Sequence, residues 1–333
     1  MKIYLAGDSI VQNYEKEEFI AGWGQFLPFF IKDGVEVVND AKGGRSSRLF
    51  INEGRFDNIE KNISAGDYLL IEFCHNDDAS KEYKTMFNRL TPLGEPDSDG
   101  RIPIIPGEAM PKDYIPPEYI DALRKDENVK DKQAVLDSVY KILESYPHDT
   151  YYPYSADGSK GTYLWFLKQF VDMAREKGAV PVFVTAPART VYDANGNIKD
   201  GAGLHGGNNF AYIRAMKQLG EEAKVPVIDL FAYSCGLYKQ IGKEKIHWIT
   251  SIKKGCNKGI WPDDFNSEMQ KKETVSEDTH FNKYGAMLIT QGLVKLIKES
   301  DSSQLDGLKG MLKNPDGIDI EKYVKKPLVF EEF

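Results

Sequence analysis

The chain has 333 residues, of which 41% are hydrophobic and 28% charged, and its formal net charge at pH 7 is -8. This composition is typical of a soluble globular protein, and no apolar run is long enough to predict a membrane span. The acidic charge, without a basic stripe, also argues against a nucleic-acid-binding protein.

Short apolar strands and amphipathic helices alternate along most of the chain. Continuous apolar runs predict strands buried on both faces, and these runs lie at 3–6, 35–38, 68–73, 180–185 and 225–230. Helical periodicity predicts helices from Tyr163 to a stop at Gly178, over about 209–223 and over about 282–297. The alternation indicates an α/β fold with a parallel sheet, whose functional groups lie beyond the carboxyl ends of the strands.

The segment from about 78 to 159 interrupts this alternation. It is rich in Pro, Asp, Lys and Tyr, and only residues 118 to 145 predict one or two surface helices. Because the segment is too long for a simple loop, we interpret it as an insertion in one domain spanning 1–300. It is expected to cover part of the edge where the strands end. Residues 301–333 are expected to form a tail that packs on the domain or extends from it.

The N-terminus and the sparse cysteines limit location and cofactors. The first apolar run is about five residues, too short for a signal peptide, so a cytoplasmic location is expected. Cys74, Cys235 and Cys256 lack the paired spacing of a disulfide framework or a zinc knuckle. The histidines also lack metal-ligand spacing, so a metal site is not expected, and without a glycine-rich phosphate loop no organic cofactor is expected either.

Four polar motifs follow predicted strands or precede the last predicted helix. In chain order they are Gly7-Asp8-Ser9, Gly43-Gly44-Arg45-Ser46, His75-Asn76-Asp77 and Asp278-Thr279-His280. Each alone fits a turn or a helix N-cap. Together, at strand ends, they favour a functional site: an exposed serine, a glycine that brings an N–H close to a substrate, and an asparagine that donates to a developing oxyanion.

On these motifs the chain resembles the SGNH (GDSL-type) hydrolase superfamily, and within it the rhamnogalacturonan acetylesterases. Further matching stretches are Gly22-Trp23-Gly24, Glu53-Gly54-Arg55-Phe56-Asp57, Val184-Thr185-Ala186-Pro187 and Gly285-Ala286. The resemblance spans most of the chain except about 78–159 and the residues after 300. It implies a three-layer α/β/α sandwich around a parallel sheet of about five strands, flavodoxin-like in arrangement.

The resemblance also implies a serine esterase that removes O-acetyl groups from carbohydrate. Ser9 matches the nucleophile, and His280 matches the general base. The Ser9 N–H, the Gly44 N–H and the Asn76 side chain match the oxyanion donors, with Gly43 as the adjacent alternative to Gly44.

The chain departs from the family pattern at two positions. The family has Asp three residues before the catalytic histidine, where this chain has Glu277; the offset favours Glu277 as the acid that orients His280, and Asp278 competes. Cys74 stands where the family usually has Gly. Its side chain is expected either to crowd the loop that aims Asn76 or merely to fill space.

For the substrate, the resemblance points to acetylated galacturonate in pectic oligosaccharides. Arg45, Arg48, Arg189 and His75 are candidates to bind it, the arginines by pairing with uronate carboxylates. The alternative for Arg45 and Arg48 is a structural role, in which they are tied to nearby Asp40 or to the backbone. Nucleic-acid and membrane partners are not expected, and the oligomeric state, including a homo-oligomer, stays open. The alternatives are an esterase for other glycans such as xylan fragments, a non-catalytic glycan-binding module, and a lipase or thioesterase.

Overall fold

A sheet of five parallel strands forms the centre of the fold in the computed structural model, which describes residues 1–15, 20–78, 87–200, 210–252 and 276–324. In chain order the strands of these residues are β1 Lys2–Gly7, β2 Glu36–Asn39, β3 Tyr68–Glu72, β4 Met110–Pro111, β5 Thr150–Tyr151, β6 Val180–Val184, β7 Val227–Ile228, β8 Thr250–Ile252 and β9 Ser276–Phe281. The central sheet has the order β2-β1-β3-β6-β7, and all its pairs are parallel. The five strands predicted from apolar runs are these five, so the predicted sheet is confirmed.

Helices cover both faces of the sheet. In chain order the α-helices of the described residues are α1 Trp23–Phe26, α2 Ser47–Asn52, α3 Arg55–Asn62, α4 Pro117–Lys125, α5 Lys132–Ser145, α6 Tyr163–Glu176, α7 Phe210–Ala223, α8 Leu230–Ile241, α9 Lys283–Glu299, α10 Asp306–Met311 and α11 Ile320–Tyr323. Side chains alternate across β1, so Ile3 and Leu5 pack on the face covered by α1 and α9, whereas Tyr4 and Ala6 pack on the face covered by α6 and α7. The three-layer α/β/α sandwich is therefore confirmed.

The residues after 300 pack on this domain as far as they are described. Leu305, Leu308, Met311 and Leu312 are buried in the same core cluster as the apolar face of α9. The Lys32 N–H donates to the Met311 carbonyl at 2.9 Å, which joins this segment to the loop before β2. Of the expected tail, residues 325–333 lie outside the described part.

The predicted insertion packs around a small buried cluster that Leu49 of α2 also joins. The antiparallel pair β4–β5 and the helices α4 and α5 lie within the insertion, the helices where the sequence predicted them. Its buried cluster is mostly aromatic and leucine-rich and includes Phe87, Tyr119, Leu123, Val139, Leu143, Tyr146 and Tyr151.

Arg48 of α2 links the insertion to the sandwich through hydrogen bonds. Its guanidinium, 1% exposed, donates to the carbonyl oxygens of Tyr152 at 2.9 Å, Phe87 at 2.8 Å and Leu90 at 3.0 Å. Burial lowers the pKa of this guanidinium. The backbone role that was the alternative to substrate binding for Arg48 is therefore the one that its contacts support.

Replacing Arg48 by Met is expected to destabilise the fold by about 2–4 kcal/mol, because several buried carbonyl groups lose their donor. The measurement is the free energy of unfolding in urea. Arg124→Met on α4 is the control, since the Arg124 side chain is 73% exposed and its loss is expected to change stability by less than about 0.5 kcal/mol. Equal stability of the two variants would contradict the anchoring role.

Candidate active site

Ser9 lies in a tight turn directly after β1, at the carboxyl edge of the sheet. The Asp8 carboxylate accepts a hydrogen bond from the Ile10 N–H at 2.9 Å, which closes the turn around Ser9. Gly7 allows the approach of β3, because a Cβ there would lie 2.9 Å from the carbonyl oxygen of Glu72. The candidate nucleophile is thereby held at the edge of the sheet, close to Gly43 of the next polar motif.

His280 reaches Ser9 from the end of β9. Its Nε2 lies 2.7 Å from Ser9 Oγ, although the two residues are far apart in the chain. The histidine is placed by the start of α9, where Asn282 Oδ1 accepts from the Gly285 N–H at 2.9 Å and Asn282 Nδ2 donates to the Trp248 carbonyl at 2.7 Å. The serine and histidine that the sequence singled out therefore share a hydrogen bond.

Asn76 lies in the turn after β3, the strand that neighbours β1 on the side opposite to β2. Its Nδ2 donates to Asp8 Oδ2 at 3.0 Å, and both side chains are buried. Because an amide nitrogen has two hydrogens, one remains for another acceptor. Asp8 therefore fixes which end of the Asn76 amide is the donor.

Cys74, at the position where the family usually has Gly, packs inward. Its side chain is buried within the core cluster between the sheet and α6. Burial raises the pKa of the thiol well above its ordinary value, so it is not a thiolate at neutral pH. Its position in the core fits the space-filling alternative.

The turn after β2 brings Gly43 beside the nucleophile, and Gly44 follows it in the same turn. A Cβ at Gly43 would lie 3.3 Å from Ser9 Cβ, and Gly44 has a φ of +80°. The Gly43 N–H already donates to the side-chain oxygen of Gln12. This bond favours the Gly44 N–H over that of Gly43 as an oxyanion donor.

The three other candidate substrate-binding side chains all have contacts within the protein. Arg45 Nε and Nη2 donate to the two oxygens of Glu53, each at 2.8 Å. Arg189 is buried, with Nη1 4.0 Å from Asp278 Oδ1. His75 is also buried, and its Nε2 lies 3.1 Å from the Pro187 carbonyl oxygen. Substrate binding by these residues stays a prediction.

The two candidates for the triad acid lie next to each other on β9. The side chain of Glu277 lies outside the described residues. The Asp278 carboxylate accepts from Thr279 Oγ1 at 2.9 Å, and within the described part of the chain none of its hydrogen bonds goes to the His280 ring. This geometry leaves the preference for Glu277 as predicted, with Asp278 as the alternative.

Sequence reasoning missed three polar residues that support the site. Asp8 accepts a hydrogen bond from the Asn76 side chain, and Gln12 accepts one from the Gly43 N–H. Glu53 accepts from the Arg45 guanidinium. Asp8 was visible within the Gly7-Asp8-Ser9 motif, but its partner depends on how two separate turns meet. Glu53 was visible within a stretch that matches the family, but its pairing with Arg45 was not, and nothing in the sequence pattern distinguishes Gln12 from an ordinary surface residue.

Carboxyl groups are buried beneath the site. Burial raises the pKa of Asp8 to about 6, although the hydrogen bond from Ile10 acts against the rise. Burial also raises the pKa of Asp77 to about 7, against the hydrogen bonds it accepts from the Ser47 hydroxyl and N–H. The pKa of Glu72 is raised as well, by burial and then by the charges of Asp8 and Asp77.

Asp77→Asn is expected to flatten the dependence of stability on pH. A buried acid with a raised pKa binds its proton more firmly in the folded state, so its contribution falls as pH rises from about 4 to about 7. With the folded pKa of Asp77 at about 7, this decline is of order 2–4 kcal/mol. Urea unfolding at the two pH values measures it, with Asp121→Asn, 61% exposed, as the control. An unchanged slope in Asp77→Asn would contradict the shift.

Two kinds of feature are absent from the described residues. Among them, no group of three His, Cys, Asp or Glu side chains could hold a metal ion. No helix in the same part of the chain has the length and apolar character needed to cross a membrane.

Comparison with known proteins identifies similar esterases. Rhamnogalacturonan acetylesterase RhgT of Bacillus subtilis is 30% identical over 300 residues, which covers 90% of each chain. The probable rhamnogalacturonan acetylesterase YesY of the same organism is 30% identical over 298 residues, covering 89% of this chain and 92% of YesY. The solved structure of B. subtilis YxiM matches with a TM-score of 0.52 at 20% identity, over 91% of this chain and 57% of YxiM, and supports the fold. No family model matches the chain.

Proposed function

Since the chain belongs to the rhamnogalacturonan acetylesterases of the SGNH hydrolase superfamily, we propose that it removes O-acetyl groups from acetylated pectic oligosaccharides through an acetyl-enzyme on Ser9. The observation that carries the proposal is the 2.7 Å contact between His280 Nε2 and Ser9 Oγ. Such a contact lets an imidazole take the hydroxyl proton as the oxygen attacks.

In the first half of the reaction, His280 Nε2 accepts the Ser9 proton and Ser9 Oγ bonds to the acetyl carbonyl carbon. The carbonyl oxygen becomes an anion, and the Ser9 N–H, the Gly44 N–H and Asn76 Nδ2 donate to it. When the tetrahedral intermediate collapses, the bond to the sugar oxygen breaks. His280 gives its proton to that oxygen, and the sugar leaves with a free hydroxyl group.

In the second half, water attacks the acetyl-enzyme. His280 removes a proton from the water as its oxygen bonds to the acetyl carbon, and the same donors hold the second oxyanion. The bond to Ser9 Oγ then breaks, the serine regains its proton from His280, and acetate leaves. Each proton transfer thus passes through one imidazole.

Asp8 supports this cycle by keeping the Asn76 amide in the donating orientation. An anionic Asp8 accepts only, so the Asn76 nitrogen, not its oxygen, faces it. The second hydrogen of that nitrogen then serves the oxyanion. The buried carboxylate is a positioning group, because it acts through Asn76.

The decisive experiment compares acetate release from acetylated rhamnogalacturonan oligosaccharides, acetylated xylo-oligosaccharides and long-chain 4-nitrophenyl esters, with Ser9→Ala as the blank. We expect kcat/KM for the pectic substrate to exceed that for the xylan substrate by at least about tenfold. A preference for the xylan substrate would contradict the proposed pectic substrate and favour an acetylxylan esterase. A preference for long acyl chains would favour a lipase. No acetate release by the unmodified protein, together with glycan binding, would favour a binding module.

The proposal places this step of pectin degradation in the cytoplasm, on oligosaccharides that have already been imported. Cell fractionation followed by detection of the protein tests the location. Recovery of the protein outside the cell would contradict this part of the proposal, while leaving the chemistry at Ser9 unaffected.

A further inference from the structure

The Gly43–Gly44 peptide is the central peptide of a type II turn. The Arg45 N–H donates to the Lys42 carbonyl at 3.3 Å, and Gly44 has a φ of +80°, the value of the third residue in a type II turn. Types I and II differ by a flip of the central peptide. Glycine tolerates the backbone angles of both forms, so this peptide needs a restraint to stay in one of them.

Arg45 supplies a restraint from outside the turn. Its Nη1 donates to the Gly43 carbonyl at 2.8 Å, while its Nε and Nη2 make the bidentate pair with Glu53. Glu53 is the C-cap residue of α2, so the carboxylate that binds the guanidinium is anchored at the end of a helix. A flip of the central peptide would break the bond between Arg45 and the Gly43 oxygen.

The direction of the Gly44 N–H follows from this bond. In a trans peptide the carbonyl and the N–H of the same peptide point in opposite directions. With the Gly43 carbonyl directed at Arg45, the Gly44 N–H is directed away from the guanidinium. The preceding peptide is held separately, because the Gly43 N–H donates to the side-chain oxygen of Gln12. Gln12 lies four residues after Asp8, where the turn around Ser9 begins.

We infer that Arg45 is a positioning residue, which keeps the Gly43–Gly44 peptide in the orientation that presents the Gly44 N–H to the oxyanion. The inference rests on the esterase mechanism proposed above. It assigns Arg45 a role different from the substrate binding expected from the sequence. The two roles affect different kinetic constants: loss of an oxyanion donor lowers kcat, whereas loss of a substrate contact raises KM.

The chain offers a matched control in Arg55. Its Nε donates to the same Glu53 carboxylate at 3.0 Å, and its side chain is 33% exposed, against 28% for Arg45. Arg45→Met and Arg55→Met therefore each remove one positive charge and one Glu53 partner. Among the bonds of the two arginines within the described residues, only that of Arg45 reaches the Gly43 carbonyl.

The experiment measures kcat and KM for both variants on an acetylated rhamnogalacturonan oligosaccharide and on uncharged 4-nitrophenyl acetate. Arg45→Met is expected to lower kcat by about 10–100-fold on both substrates, with KM changed less than about twofold. Arg55→Met is expected to keep kcat within about twofold to threefold. Arg45→Lys is expected to fall between, because one ammonium cannot satisfy both Glu53 and Gly43 in the guanidinium geometry.

Two results would overturn the inference. A rise in KM for the oligosaccharide alone, with 4-nitrophenyl acetate turnover unchanged, would make Arg45 a substrate-binding residue. Equal losses of kcat in Arg45→Met and Arg55→Met would show that Arg45 acts only through the ion pair with Glu53, which both arginines share. If Arg45→Met fails to fold, Arg45→Lys gives the same comparison. Full activity of Ser9→Ala would instead refute the mechanism itself, whatever the arginine variants do.

Discussion

Alanine at Ser9, at His280 or at both positions is expected to lower kcat for acetate release by the same amount, about 10⁴–10⁶-fold. The two side chains share the 2.7 Å hydrogen bond and act as one unit, so that either loss removes the activated nucleophile. The second replacement then removes nothing further. The remaining rate over water comes from the oxyanion donors and from substrate binding.

Initial rates of acetate release from the three variants measure this effect, and urea unfolding checks that each variant is folded. Multiplication of the two single losses in the double variant would show that Ser9 and His280 contribute independently. A variant of either residue with more than about one-tenth of the original kcat would contradict the proposed nucleophile or base.

Glu277→Gln is expected to lower kcat by about 10³–10⁴-fold, because an amide cannot stabilise the imidazolium or hold its tautomer as a carboxylate does. Asp278→Asn is expected to cost less than about tenfold. The Asp278 carboxylate accepts from Thr279 Oγ1 and lies 4.0 Å from Arg189 Nη1, and neither contact orients the imidazole.

The pair of variants separates the two candidates by the ratio of their kcat values. A large loss in Asp278→Asn, with Glu277→Gln close to the unmodified protein, would reverse the assignment. Equal large losses would mean that both carboxylates support the imidazole.

The sheet was predictable because its strands are buried on both faces. A strand such as β3, with all of its residues buried, appears in the sequence as an uninterrupted apolar run. The site was predictable for a related reason. Parallel strands place their carboxyl ends together, so polar motifs after β1, β2 and β3 had to meet at one edge.

The sequence allowed structural roles for Arg45 and Arg48, but it could not predict which carbonyl groups they bind. Arg45 and Arg48 stand three residues apart, yet one holds a carbonyl of the turn beside Ser9 and the other donates to carbonyls of the insertion. These carbonyl acceptors are backbone atoms, which every residue has, so no residue type marks them. The pair β4–β5 was equally hidden, because two residues per strand are too few to show a period.

The short helix α2 contacts parts of the enzyme that lie far apart in the sequence. The N-terminal end of this helix follows the Gly43–Gly44 turn, Ser47 holds the carboxylate of Asp77 beside Asn76, and Arg48 binds the insertion. The insertion is consequently not a detachable module that an engineer could trim or exchange at will. A graft from another esterase would also need to supply acceptors for the Arg48 guanidinium, or the loosened helix would disturb both sides of the oxyanion site.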